Sequence, residues 1–315
     1  MTPQLAGPLA AAAILLLPGC SASPAAVAGQ RAGGLIALGD VDAASRYQIF
    51  SVSPDGERRQ QLTKDTAGNW MPAWSPDGGK IAYAAGLSVG ILQIYVMNAD
   101  GTGQRQLTTA GFNFVPSWSP DGTTIAYAHM DVLPAPSRHF NIWVMSADGT
   151  LKRPLTTAPD DDAVPTWSPE GQQIAFTSNR AGGRYQIWVM DSDGTNLRRL
   201  TTAYYDPAVA ADIEQKVPAW SPDGRYIAYW SGVEGTNPGT NLPRDVWVME
   251  ADGSHPRRLT AGDDPAWSPD GRTIIYPAMA SGQLAVGAIG PDGSNQRILF
   301  ATNGWYGRAS WQPVP

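Results

Sequence analysis

Five copies of the string Trp-Ser-Pro-(Asp/Glu)-Gly constrain this chain more than any other feature. They begin at Trp74, Trp118, Trp167, Trp220 and Trp267. A sixth, worn copy reads Trp311-Gln312-Pro313, and the six tryptophans are 44, 49, 53, 47 and 44 residues apart. A repeat of that length, filled with short β patterns, points to the blades of a propeller and away from a helical solenoid.

Three further pieces recur in each unit. An Ile-Ala-Tyr-like strand stands at Ile36, Ile81, Ile125, Ile174, Ile227 and Ile274. An Ile-Trp-Val-Met-like strand begins at Ile49, Ile94, Ile142, Ile187 and Val246, with a degenerate copy at Val286. A last strand runs into Leu-Thr, as at Leu107-Thr108 and Leu200-Thr201. With the Trp strand this gives four strands per unit, lettered a (Trp) to d in chain order. The expected fold is all-β: a six-bladed propeller of four-stranded antiparallel blades.

The spacings divide the propeller into two faces. Each repeat Trp precedes its b-strand Ile by 7 residues in all five complete copies, and the start of c precedes the Leu of d by 13 in all six. The a–b and c–d turns are therefore constant. Ser-Pro-Asp-Gly and Ala-Asp-Gly-Thr supply their turn chemistry: Pro presets φ and Gly accepts a positive φ. From b to c the spacing runs 13, 13, 17, 13, 19, 12, and from the d-strand Leu to the next Trp 12, 11, 12, 20, 8, 12. In an antiparallel meander the variable loops share one end of the sheet. Loops on a rigid scaffold are where binding concentrates, so the variable face is the expected functional face.

Proline two residues before each repeat Trp (Pro72, Pro116, Pro165, Pro218, Pro265) assigns strand a to a sheet edge, since Pro cannot donate to a ladder. Strand a should line the central channel. Strand d, bearing Arg105, Arg153, Arg198, Arg199, Arg257, Arg258 and Arg297, should be the charged outer edge that discourages edge-to-edge pairing. The first unit has strands b, c and d but no preceding Trp strand, while Trp311 stands alone after the last unit. The C-terminal strand should therefore join the N-terminal blade and close the ring, making residues 35–315 one domain.

Residues 9–17 form a short apolar run followed by Pro18, Gly19 and Cys20. Its length suits a signal-peptide core and falls short of a bilayer span. Leu17-Pro18-Gly19-Cys20 resembles a bacterial lipobox, which implies a signal peptide over residues 1–19 and acylation of Cys20. Residues 20–34, mostly Ala, Gly, Ser and Pro, read as a flexible tether. The single cysteine excludes an internal disulfide, and a net charge of −6 gives no basic footprint for nucleic acid.

Pro-x-Trp-Ser-Pro-Asp-Gly, Ile-Ala-Tyr, Ile-Trp-Val-Met-x-Ala-Asp-Gly-Thr and Arg-x-Leu-Thr together resemble the repeats of TolB-type, or WD-like, propellers. The resemblance covers residues 35–313 and implies the fold strongly and function weakly. Such repeats occur in a periplasmic Tol–Pal component, which carries an α/β domain ahead of its propeller, and in the propellers of prolyl oligopeptidase-type peptidases. Here the tether leads straight into the first blade. The resemblance implies a protein partner on a propeller face.

Chemistry-bearing motifs are few. Gly86-Leu87-Ser88-Val89-Gly90 fits Gly-x-Ser-x-Gly but sits between two blade strands, with no helix to form a nucleophile elbow. His129, His139 and Asp131 share one b–c loop at a spacing that matches no metal-ligand pattern. The variable loops are biased toward aromatics (Trp70, Phe112, Phe114, Tyr205, Trp230, Trp305, Tyr306) and carboxylates (Asp161, Asp206, Asp263). Aromatics beside acids suit a protein or glycan partner, and these ten are the candidate binding residues. No metal, cofactor or catalytic residue is assigned. The reading is a monomeric, exported, lipid-anchored envelope protein that binds a partner without catalysis. The alternative is a carbohydrate-active lyase or hydrolase using carboxylates at the channel mouth.

Overall fold

The computed structural model describes residues 34–86, 91–131, 139–206, 211–233, 244–305 and 307–313. The signal peptide, Cys20, the tether, Ser88 and Tyr306 lie outside the described residues. The described strands form six antiparallel sheets. In the second, third, fourth and sixth, four strands follow in chain order from the Trp strand outward, as in Gly68–Trp74, Lys80–Gly86, Gln93–Asn98 and Arg105–Gln106 of blade 2. The inner strands touch one another in a closed cycle, Gly68–Trp74 to Phe112–Trp118, Asp162–Trp167, Ala211–Trp220, Ala266–Trp267, Ser310–Trp311 and back. That cycle is the channel wall.

Blade 1 is completed from the other end of the chain. Ser310–Trp311 pairs with Ile36–Val41, with Ile36 opposite Trp311 and Ala37 opposite Ser310. Gln312 N donates to Leu35 O at 2.7 Å and its Nε2 to Gly78 O at 3.1 Å, while the Trp74 amide donates to Ser310 Oγ at 3.1 Å. One strand thus seals blade 1 and ties it to blade 2.

Blade 5 departs from the four-strand expectation. The 20-residue d–a spacing folds back as Tyr204–Asp206 against Ala211–Trp220, adding a fifth strand at the inner edge.

The core lies between blades, which explains the Ile-Ala-Tyr string. With period-2 alternation, Ile81 and Tyr83 pack on Ala37, Ile49 and Leu62 of the preceding blade, while Ala82 faces Trp118, Ile125 and Tyr127 of the next. Large residues go one way and alanine the other, so neighbouring sheets interlock. Two repeat tryptophans also bond across the interface: Trp118 Nε1 donates to Ala73 O at 3.2 Å and Trp267 Nε1 to Ala219 O at 3.0 Å.

The remaining motifs join strands or blades. Thr108 Oγ1 accepts from Ile94 N at 2.9 Å and donates to Gln93 Oε1 at 2.7 Å. That same oxygen accepts from Asn113 Nδ2 on the next blade at 3.0 Å. The Thr of Leu-Thr is therefore a buried latch, repeated at Thr63 with Gln48 and Asn69. The Asp-Gly corner has a packing reason beside its positive φ. A Cβ on Gly101, Gly194 or Gly253 would come within 2.6–2.8 Å of the carbonyl of Leu62, Leu155 or Leu200 on the preceding blade. The d-strand arginines are exposed at the outer edge as expected, yet two of them also bond the next blade. Arg105 Nη1 reaches Asp148 O at 2.8 Å and Arg198 Nη1 reaches Asp252 O at 2.9 Å.

Candidate binding site at the channel mouth

The inner strands are longer than the Trp motif suggests, and each of the four longer ones is kinked. Pairing with strand b slips by one residue between Trp70 and Ala73, Phe114 and Ser117, Ala163 and Thr166, and Lys216 and Ala219. Each slip is a β-bulge holding the residue before proline and the proline itself. The bulged residues Met71, Val115, Val164 and Val217 take φ of 50–57°, and the equivalent Asp264 takes 41°. Positive φ in a β-branched residue is strained, and persists where surrounding structure over-determines it. In the last copy Gly307 (φ 82°) precedes Arg308 and carries that turn instead.

Three residues before each Trp the six copies thus place Met71, Val115, Val164, Val217, Asp264 and Arg308. Four are apolar. The two charged ones lie just before neighbouring inner strands, Ala266–Trp267 and Ser310–Trp311. A cavity of about 200 Å³ lies against this ring, lined by Met71, Val115, Trp74, Trp118, Trp167 and Arg308 among others. Arg308 Nη2 donates to Pro218 O on blade 5 at 3.2 Å, so the guanidinium reaches past blade 6. No other hydrogen bond of its side chain to the described residues occurs, although a guanidinium has five donors.

Burial and the neighbouring Asp263 push the Asp264 carboxyl up to about 7, against the opposing pull of Arg308 and Arg244. Burial also raises Asp263, opposed by its bond to Arg244. Burial holds Arg308 below its ordinary value, and the Asp264 charge counters this. A carboxyl that titrates higher folded than unfolded binds its proton preferentially in the folded state between the two values. Stability should therefore fall as pH rises from about 4 to about 7, and Asp264→Asn should flatten that slope. Melting temperature measured across this range in both proteins checks it. Below pH 4 the turn aspartates act oppositely. Asp77, Asp121 and Asp223, held low chiefly by the Ser hydroxyls of Ser-Pro-Asp-Gly, lose their contribution as they protonate.

Beside the ring, an arc of partnered polar and aromatic groups crosses blades 4 to 6 on the variable face. Asp161 accepts from Phe140 N at 2.9 Å and Tyr185 OH at 2.8 Å, with His139 Nδ1 at 3.8 Å. Tyr185 N donates to Glu214 Oε1 at 3.2 Å. Lys216 Nζ lies 3.6 Å from Glu214 Oε2 and 3.6 Å from the Tyr185 ring centroid. Arg244 covers the Trp230 ring at 4.5 Å and pairs with Asp263 at 2.9 Å. With Lys216 Nζ 6.0 Å from the Trp230 ring centroid, Asp161, Trp230 and Asp263, chosen from sequence as separate loop residues, belong to one connected network.

The other candidates sit apart from this arc. Trp70 is half-buried 6.0 Å from the Tyr47 ring; Phe112 and Phe114 cluster with Phe140 at 4.8–5.7 Å. All three aromatics belong to inner strands, where the sequence reading has loops. Trp230 likewise lies within strand Tyr226–Val233 and is 3% exposed beneath its cations. Trp305, also 3% exposed, packs among Leu38, Phe50 and Ala309. The backbones of Tyr205 and Asp206 form the extra strand of blade 5, and their side chains lie outside the described set.

His129 is a buried structural residue, bonded to Asn113 Oδ1 at 2.8 Å and Asp131 Oδ1 at 3.2 Å. His139 joins Asp161 instead. Among the described residues no three His, Cys, Asp or Glu converge as a metal would require. Sequence reading missed Arg308, Lys216, Tyr185 and Arg244. Arg308 stands out once the six copies are aligned on Trp, for the third position back reads Met, Val, Val, Val, Asp, Arg.

A family profile described as the TolB beta propeller domain matches residues 36–315. The solved TolB of Acinetobacter baumannii superposes with a TM-score of 0.72 at 23% identity, covering 89% of this chain and 67% of that one. An oligogalacturonate lyase solved in complex with manganese gives 0.56 at 13% identity, covering 81% and 71%. Dipeptidyl-peptidase 5 of Porphyromonas endodontalis is 39% identical over 67 residues, which is 21% of this chain and 10% of that protein. The likeness to the two solved structures establishes fold alone, and the match to the peptidase spans a tenth of its length.

Proposed function

Since the chain belongs to the TolB β-propeller domain family, we propose that it is a cell-envelope binding module. It takes a protein partner on the variable face and channel mouth and performs no chemistry on it. The observation that carries this reading is the arc from Asp161 through Tyr185, Lys216, Trp230 and Arg244 to Asp263. Its charges are half-buried, mutually paired and mounted on a rigid sheet scaffold. That preorganisation suits recognition, because little side-chain entropy remains to be lost when a partner covers it. The carboxylates of Asp161 and Asp263 are engaged by Tyr185, Phe140 and Arg244. Each of these two carboxylates thus has a structural partner, which supports the binding reading over the carbohydrate-active alternative.

The test is a pull-down from envelope extract with three proteins. One is wild type, one carries Trp70→Ala with Lys216→Glu on the variable face, and one carries Asp100→Ala with Asp148→Ala on the uniform face. A partner kept by wild type and the uniform-face variant, and reduced at least about tenfold with the variable-face variant, supports the assignment. Equal recovery by all three removes it.

The proposal includes export and acylation at Cys20. Cys20→Ser should move the protein from the membrane fraction to the soluble fraction of cells. Retention in the membrane fraction would remove the lipid from the account.

A further inference from the structure

The ring three residues before each Trp is apolar on four blades and charged on two, and the arc of paired groups does not include Arg308. This guanidinium borders a cavity whose other lining residues, Met71, Val115, the three tryptophans and small neighbours, carry no charge. One donor is satisfied by Pro218 O; the side chain lines the cavity and has no other protein acceptor among the described residues. A half-buried guanidinium in a low-dielectric enclosure is a strong anion site, and its planar fork matches a carboxylate bidentately. Asp264 is the acid nearest in the ring. It forms no ion pair with Arg308 within 4.0 Å, and its proton is held up toward neutrality by burial and Asp263. Asp263 is itself occupied by Arg244. The inner strands of blades 2 to 5 bring no titratable group to the cavity wall.

We propose that Arg308 is a carboxylate-binding residue of the channel, receiving an acidic side chain or C-terminal carboxylate from an extended peptide segment of the partner. The inference rests on the binding-module reading and specifies its anchor point. Size favours a peptide over an oligosaccharide. At about 200 Å³ the cavity is smaller than pockets that enclose drug-sized ligands, which run from roughly 300 Å³ upward. It suits one side chain or one terminal residue. The tryptophan-lined wall supplies apolar contact for the stem, and Arg308 supplies the charge at its tip.

The probes are capped pentapeptides, Gly-Gly-Asp-Gly-Gly amide against Gly-Gly-Asn-Gly-Gly amide, with galacturonic acid as a separate arm. Titration is followed by indole N–H shifts of the folded full chain. Trp74, Trp118 and Trp167 line the cavity and report directly. Saturable shifts are expected with the Asp peptide, about tenfold weaker with its Asn twin, and lost in Arg308→Gln. Arg308→Lys, which keeps charge but not the fork, should fall between. Because Asp264 adds negative charge as pH rises, Asp-peptide binding should weaken from pH 6 to pH 8, and Asp264→Asn should remove that weakening.

Unchanged melting of Arg308→Gln separates loss of the site from loss of fold. If that variant unfolds, Arg308→Lys and the Asp/Asn contrast in the wild type decide. Equal response to Asp and Asn peptides, or Asp-peptide binding undiminished in both folded Arg308 variants, would overturn the assignment. Galacturonic acid binding more tightly than the Asp peptide would overturn the peptide reading. If the channel fails this test while the variable face still captures a partner, only the anchor point falls.

Discussion

A chain ending at Asn303 is expected to lose its single cooperative urea transition. Residues 304–313 contain the innermost strand of blade 1, and removing them opens two blade interfaces at once. On one side Trp305 and Ala309 leave a cluster formed with Ile36, Leu38 and Phe50 of blade 1 and Ile275 and Val286 of blade 6. On the other, Ser310 and Gln312 release their bonds to Trp74 and Gly78 of blade 2. Trp truncation in a core alone costs about 3–5 kcal/mol. A domain's whole stability is about 5–15 kcal/mol. The strand and its interface therefore account for much of what holds the ring shut. The measurement is urea unfolding followed by Trp fluorescence and far-UV circular dichroism. Coincident, steep curves with an unshifted midpoint in the truncated chain would contradict the closure.

Arg180→Met is expected to cost about 3–5 kcal/mol, the range for leaving one member of a buried pair alone. Asp162 is fully buried at the head of the blade 4 inner strand, with Arg180 Nη2 2.5 Å from its Oδ2. Its other carboxylate oxygen has no hydrogen-bond partner among the described residues. Arg180 is held in turn by Ser178 and lies over the rings of Phe176 and Trp188. Methionine keeps the apolar stem and removes the charge, so Asp162 would be stranded. Denaturant melts of both proteins at pH 8 check this. A loss below about 1 kcal/mol at pH 8 would show that the pair contributes little beyond its desolvation cost.

Much of the architecture was legible because the repeat carries its own chemistry. Pro72 and its equivalents marked the inner strand, the constant spacings separated the two faces, and the lone Trp311 announced ring closure. The site was less legible for identifiable reasons. Trp70, Phe112, Phe114 and Trp230 read as loop aromatics, yet strands a and b extend several residues toward the variable face and carry them. Trp305 sits in the chain before the closing strand and in space within the core. The arc from Tyr185 to Arg244 joins two blades, and no local spacing encodes such contacts. Asp264 and Arg308 were visible in the alignment of the copies. Their significance depended on the bulge that sets this position at the channel, a tertiary feature that the Pro motif hints at without specifying.

The proposed binding on the variable face and channel mouth is tested by hydrogen–deuterium exchange on the full chain, free and with its captured partner. Protection should gather on residues 68–72, 112–116, 183–186, 214–218 and 305–308, while the Ser-Pro-Asp-Gly turns exchange as in the free protein. Protection confined to those turns, with the channel mouth unchanged, would contradict it.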